Sequence, residues 1–257
     1  MSAVDAVVAK GLVKAFGRTV AADGIDLVVP AGSFFGLVGR NGAGKSTLIK
    51  MCTGLLRPDA GAVTVAGRSV WPDPVHAKAV MGVLPEDPSS FDRLTCVELL
   101  ECHGLLRRMD MATVGTRARE LLTVLDLREA AHVAALDLST GMRKKLALAC
   151  ALLHAPRVLF LDEPFESVDP VSARTIRAVL EQVVAGGGTV ILSSHVMETV
   201  QRLCSHLALV HRGRVVVEGT TAQVRGERTL EEIFVEIAGE GQTGVTEGLT
   251  WLASSSG

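Results

Sequence analysis

The chain has 257 residues, enough for one large domain or two small ones, and a folded chain of that size buries roughly three quarters of its extended surface. Its composition, 48% hydrophobic and 21% charged, is that of an ordinary globular protein, and a net charge of -2 supplies no basic field to hold nucleic acid, so none is expected as a partner. The best apolar run, Leu146 to Leu153, falls far short of the about 20 residues that a bilayer-spanning helix needs.

Met1 to Lys10 carries Asp5 and no basic segment leading into an apolar core, so no secretory signal is expected and the protein is read as cytosolic. The five cysteines, Cys52, Cys96, Cys102, Cys150 and Cys204, contain no CxxC pair, which argues for small core residues over disulfides or a zinc ribbon. Cys102 beside His103 would make half of a metal site, but no second pair at ligand spacing follows, so the metal reading is set aside.

Short strands are expected at Ala6 to Ala9, Ile25 to Val29 and Phe34 to Val38, punctuated by Gly17, Gly24 and Pro30-Ala31-Gly32. A helix over Ser46 to Thr53 follows, then a turn at Arg57-Pro58-Asp59-Ala60-Gly61 and strands at Ala62 to Val65 and Val80 to Leu84. From Thr95 to Leu127 the apolar spacing becomes helical, as in a helical subdomain inserted in a strand-rich one. Strands at Val158 to Leu161, Thr189 to Ser193, Leu207 to Val210 and Val215 to Val217 then alternate with helices at Thr140 to Leu153, Val171 to Val184 and Val196 to Leu203. Such alternation implies a mostly parallel sheet covered on both faces, an α/β fold. After Gly239 the composition shifts to Gly, Ser and Thr, as in a disordered tail.

Gly39-Arg40-Asn41-Gly42-Ala43-Gly44-Lys45-Ser46-Thr47 fits G-x-x-x-x-G-K-[S/T] and lies between an apolar strand and a helix. Its glycines let backbone N–H groups converge on phosphate oxygens at the positive end of that helix. Lys45 is placed to neutralise the β and γ phosphates, and Ser46 to offer its hydroxyl to Mg²⁺. A carboxylate at the end of a buried strand is the second requirement, and Val158-Leu159-Phe160-Leu161-Asp162 supplies it, with Glu163 next in line to accept a proton from an attacking water. An Asp-Glu pair without the upstream loop would read as a solvated strand end. The basic run Arg143-Lys144-Lys145 is read as a solvated helix face rather than an anion site.

These two motifs define a P-loop NTPase, and the Asn-Lys-x-Asp motif of a GTPase is absent from the sequence. Leu138-Ser139-Thr140-Gly141-Met142, just ahead of the Asp162 strand, resembles the LSGGQ signature of the ABC ATPase family, and the resemblance extends over roughly residues 4 to 237. Further landmarks fall in the family's order. Phe16 stands where an aromatic stacks on adenine, Pro85-Glu86 resembles the Q-loop, Glu166-Ser167-Val168-Asp169 the D-loop, and His195 the switch histidine. Alone, Phe16 would read as core and His195 as a strand-end surface residue.

The resemblance implies a RecA-like core with an N-terminal antiparallel β-subdomain, an inserted helical signature subdomain at about 90–150, and a flexible tail at 238–257. It implies ATP and Mg²⁺ as cofactors, Ser46, Asp162 and Glu86 around the metal, and Glu163, His195 and Glu86 as catalytic groups. Phe16, Gly39, Asn41, Gly42, Ala43, Gly44, Lys45, Ser46, Thr47, Ser139, Gly141 and Asp169 would contact nucleotide, the signature residues from a second ATPase subunit. A separate integral membrane permease would hold the chain at the inner face of the cell membrane, docked near Glu86, Phe91 and Leu94. Glu86 replaces the usual Gln, Thr140 the first signature Gly and Met142 its Gln. These departures, with Thr229 to Phe234 as a C-terminal helix, resemble the ABC-2 type, drug-exporter-like branch. Two other readings are a soluble ABC ATPase acting on ribosomes or DNA, and a regulatory ATP-binding module with little turnover.

Overall fold

The computed structural model describes residues 5–87 and 93–239. Val4, Phe91 and residues 240–257 of the expected tail lie outside them. Two sheets stack with helices on the outer side of the second.

The first sheet is antiparallel, in the order β2 (Thr19–Val29), β1 (Val7–Phe16), β4 (Ala60–Val65), β5 (Arg68–Ser69). β1 runs well beyond the expected Ala6 to Ala9. Its register against β2 and β4 shifts after Ala9 and Lys10, and Gly11 at φ 58 supplies the left-handed backbone that the irregularity needs. That extra residue breaks the period-two alternation, so the strand reads as ending early although Leu12 is again fully buried.

The second sheet has the order β10 (Arg214–Thr220), β9 (His206–His211), β3 (Phe34–Val38), β8 (Thr189–Ser194), β7 (Val158–Leu161), β6 (Met81–Leu84). β9 through β6 run parallel, and β10 closes the edge antiparallel. Phe35, Leu37, Phe160, Val158, Ile191 and Ala208 face the first sheet and α1 (Lys45–Cys52), whereas Phe34, Val38, Leu159, Leu161, Val190 and Leu192 face the helices. Burial on both faces is why these strands read as unbroken apolar runs.

A short helix, α2 (Val75–Lys78), precedes β6. The expected helical stretch from Thr95 to Leu127 is two helices, α3 (Cys96–Leu106) and α4 (Met111–Val124). The break is local chemistry: Arg108 adopts φ 54, and Asp110 caps the second helix by accepting from the Thr113 amide. A capping box between Thr95 and Glu98 starts α3. The remaining helices are α5 (Thr140–Leu152), α6 (Pro170–Ala185), α7 (Met197–Leu203), α8 (Thr221–Arg225) and α9 (Leu230–Gly239). α9 covers the segment expected as a C-terminal helix and buries Leu230 and Ile233.

Cys52, Cys96, Cys150 and Cys204 are buried, and burial pushes the thiols of Cys52 and Cys150 up to about 12, so neither is a nucleophile at neutral pH. Among the described residues no cluster of three or more His, Cys, Asp or Glu could hold a metal, and no helix is long and apolar enough to cross a membrane.

β6 and α5 approach closely at Gly82, where a Cβ would overlap the Ala151 carbonyl oxygen and lie 2.8 Å from Leu159 Cδ1. Gly82→Ala is therefore expected to cost about 1–3 kcal/mol through overpacking. Thermal unfolding should show a midpoint lower by roughly 2–10 °C.

Candidate functional site

The C-terminal ends of β3, β7 and β8 meet at one edge of the parallel sheet, the place where open α/β sheets bind ligands. The loop from Gly39 to Gly44 leaves β3 there and enters α1. Gly44, at φ 109, is in a conformation an L side chain rarely adopts, and a Cβ on it would run into the Ala21 carbonyl oxygen. A Cβ at Gly39 would strike the Val210 carbonyl oxygen in the same way. Backbone therefore lines this cradle, and its donors at the start of α1 suit an anion.

Lys45 is 5% exposed, and its Nζ donates to the carbonyls of Gly39 at 2.8 Å and Arg40 at 3.2 Å. It also lies 3.4 Å from Glu163 Oε1. Ser46 Oγ donates to Asp162 Oδ1 at 3.1 Å. Ser193 Oγ donates to the same oxygen at 2.6 Å while accepting the Glu163 amide at 2.8 Å. Asp162 and Glu163 are almost fully buried, and the Asp162 amide is fixed by the Leu84 carbonyl.

Glu163 has φ 47, outside the usual range for a residue with a side chain. Its Oε2 lies 3.1 Å from His195 Nδ1, and Oε1 accepts no hydrogen bond among the described residues, its neighbour being the Lys45 ammonium at 3.4 Å. A buried carboxylate oxygen with an ion-pair neighbour and no hydrogen bond keeps a lone pair free to accept a proton. Beside it, a cavity of about 240 Å³ is lined by Glu163, Glu166, Ser167, Ser193, Ser194 and His195.

These residues fit a triphosphate with its cation: amides and a lysine for phosphate oxygens, and the Ser46 hydroxyl with the Asp162 carboxylate as hard oxygen ligands for Mg²⁺. Lys45, Ser46, Asp162, Glu163 and His195 thus form one cluster, as the sequence led us to expect.

Other expected site residues lie apart from it. Phe16 is 52% exposed at the end of β1, with Lys14 Nζ 5.7 Å from its ring centroid. Glu86 is exposed just after β6. Ser139 is exposed and caps α5, accepting from the Met142 amide at 3.3 Å. Asp169 caps α6 by accepting from the amides of Val171 and Ser172, and the Ser172 amide above all holds its carboxyl below the usual aspartate range.

Two residues that hydrogen-bond to this cluster were not singled out from sequence. Ser193 carries a faint signal, a hydroxyl inside a fully buried strand. Lys144 corrects an expectation: the run Arg143-Lys144-Lys145 is not a solvated face, because Lys144 and Lys145 are each 4% exposed and Arg143 alone faces out. Lys144 Nζ donates to the Glu163 carbonyl at 2.6 Å, and Lys145 Nζ to the Asp126 carbonyl at 3.4 Å.

The hydroxyl of Ser193 is expected to matter although it touches no substrate. Ser193→Ala leaves the buried Glu163 amide unpartnered, and ATP turnover should fall about tenfold, in line with the about 1–3 kcal/mol that an orphaned buried donor costs. Steady-state ATPase assays check it.

Comparison with known proteins agrees with this geometry. The ABC transporter family model matches residues 22–166, more than half of the chain. The daunorubicin resistance ATP-binding protein DrrA3 of Streptomyces coeruleorubidus is 34% identical over 244 residues, 95% of this chain and 77% of the relative. The Nod factor export ATP-binding protein I of Cupriavidus metallidurans is 34% identical over 206 residues, 80% of this chain and 68% of the relative. Among solved structures, an ATP binding subunit of an ABC transporter superposes with a TM-score of 0.84 at 29% identity, covering 90% of this chain and 99% of that one. The chain belongs to the ABC transporter family, in the branch of ABC-2 type ATP-binding subunits, and is an ATP- and Mg²⁺-dependent hydrolase of that family.

Proposed function

We propose that residues 4–237 form the ATPase cassette of an exporter, with a helical subdomain at about 90–150, and that two such cassettes, identical or homologous, enclose two ATP molecules. The observation that carries this reading is the separation of the two halves of the site. Lys45, Ser46, Asp162, Glu163 and His195 cluster at the sheet edge, whereas exposed Ser139 caps α5 and makes no hydrogen bond to that cluster among the described residues.

In this reading the amides of Gly39 to Thr47, those of Asn41, Gly42, Ala43 and Gly44 among them, hold the β and γ phosphates of one ATP with Lys45. Phe16 stacks on the adenine with its exposed face. Ser46 and Asp162 hold Mg²⁺, with Glu86 as a further carboxylate near it. When bound, the ion neutralises the triphosphate and orients it for in-line attack. Glu163 takes the proton of the attacking water on Oε1, and His195, on its other oxygen, orients it and reaches the γ phosphate. Ser139 and the Gly141 amide come from the partner cassette, at the positive end of its α5. Asp169 stands beside Gly141 and reaches the nucleotide across the same sandwich.

Relatives named for drug resistance and Nod factor export support outward transport through an integral membrane permease. The permease would hold the chain at the cytoplasmic face of the membrane, in a groove that includes Glu86 and Leu94.

Glu163→Gln is expected to lower turnover at least about a hundredfold, the scale of a lost general base, and to trap an ATP-bound dimer visible by size exclusion. Parental turnover would remove Glu163 as the base, and a strictly monomeric variant under saturating MgATP would remove the sandwich. Phe16→Ala should weaken ATP binding about tenfold with little change in kcat, as expected for loss of one base-stacking contact. Fluorescent-nucleotide titration reads that change.

A further inference from the structure

Lys144 occupies the second turn of α5, between the cap Ser139 and the apolar positions Leu146, Leu148 and Ala149 that enter the core. A lysine buried there is costly unless its ammonium is used. It has one hydrogen bond among the described residues, the 2.6 Å contact to the Glu163 carbonyl. Burial lowers its pKa, while the carboxylates of Glu166, Glu163, Glu86 and Asp162, in that order, act to keep it charged.

The acceptor is unusual too. Glu163 sits at φ 47, a conformation that persists where its surroundings over-determine it. Both sides of the residue are held: its amide by Ser193 Oγ at 2.8 Å, and its carbonyl by Lys144 and by the Glu166 amide at 3.2 Å. Fixing the carbonyl fixes the peptide plane, and with it the direction in which the carboxylate leaves the backbone, towards Lys45 and His195.

We propose that Lys144 is a positioning residue for the general base: it holds Glu163 in its left-handed conformation and ties that base to the helix whose first turn offers Ser139 to the opposite nucleotide. The proposal rests on the roles given above to Glu163 and Ser139. The tether gives α5 two duties in one rigid element, sensing the partner's ATP at its N-terminus and aiming the base of its own site one turn later. Docking of Ser139 on phosphate in one half of the sandwich then bears directly on the alignment of Glu163 in the other.

The test is steady-state ATP hydrolysis by the full chain carrying Lys144→Met, Lys144→Arg, Glu163→Gln and the Lys144→Met/Glu163→Gln pair. Lys144→Met should lower kcat about 10- to 100-fold while KM for ATP stays within about twofold, the mark of an interaction that serves the transition state. Lys144→Arg, which keeps a charged donor, should restore kcat to within about threefold of the parent. Because Lys144 acts through Glu163, adding Lys144→Met to Glu163→Gln should change the residual rate by less than about twofold. Should methionine unfold the helix, Lys144→Gln, a shorter neutral donor, takes its place with the same expectation.

Parental kcat in Lys144→Met, a parallel rise in KM, or fully multiplicative losses in the pair would each overturn the tether. Parental turnover in Glu163→Gln would instead overturn the site assignment on which it rests.

Discussion

Asp162 Oδ1 is shared by two hydroxyls, those of Ser46 on α1 and Ser193 on β8, and the Ser193 hydroxyl also takes the Glu163 amide. This chain of hydrogen bonds is the constraint on which the rest of the site depends. The β7 and β8 ladder ends at the Leu161 and Leu192 pair, one residue before Asp162 and Ser193, so side chains take over where main-chain pairing stops. Two strand ends and one helix start are thereby locked together in a buried place, where such bonds are stronger than in water and expensive to leave unmade.

The sheet makes this arrangement affordable to the fold. Each of β3, β7 and β8 is buried on both faces, one against α1 and the antiparallel sheet, the other against α5, α6 and α7. A strand clamped in this way has little freedom at its end, so the residues just beyond it are directed with little further entropy loss. The strained backbone of Glu163 and its buried carboxylate sit at such an end, where the surrounding core can hold them.

The phosphate cradle was legible in the sequence because its chemistry is local: glycines, a lysine and a hydroxyl at fixed spacing, with a strand before and a helix after. Asp162 and Glu163 were legible for the same reason. Lys144 was not, because what makes it useful is a carbonyl 19 residues away that no helical periodicity encodes. By pattern alone three consecutive cations read as a solvated face, yet two of the three point inwards. Ser193 was missed since its two partners arrive from the neighbouring strand. The length of β1 was misjudged at Gly11, where the bulge resets the alternation by one residue. The division of α3 from α4 was missed although Asp110, the cap that starts the second helix, is written in the chain.

The departures from the family signature also become intelligible in this frame. Thr140 is exposed at the first position of α5, so a side chain there meets solvent within its own subunit. Gly141 differs, because a Cβ there would lie 2.8 Å from Asp169 Oδ2 and 3.0 Å from Ser172 Oγ, against the capped start of α6. A side chain at the second position would therefore have to displace the Asp169 carboxylate and the Ser172 hydroxyl, whereas one at the first meets solvent within this subunit. Met142 is partly buried and packs on the helical core, a use for an apolar side chain that a glutamine would serve less well. Glu86 stands exposed just after β6, apart from the buried Asp162 and Glu163, and its carboxylate acts with theirs and that of Glu166 to keep Lys144 charged. A carboxylate in place of the usual glutamine at position 86 meets solvent, where its charge costs little to hold.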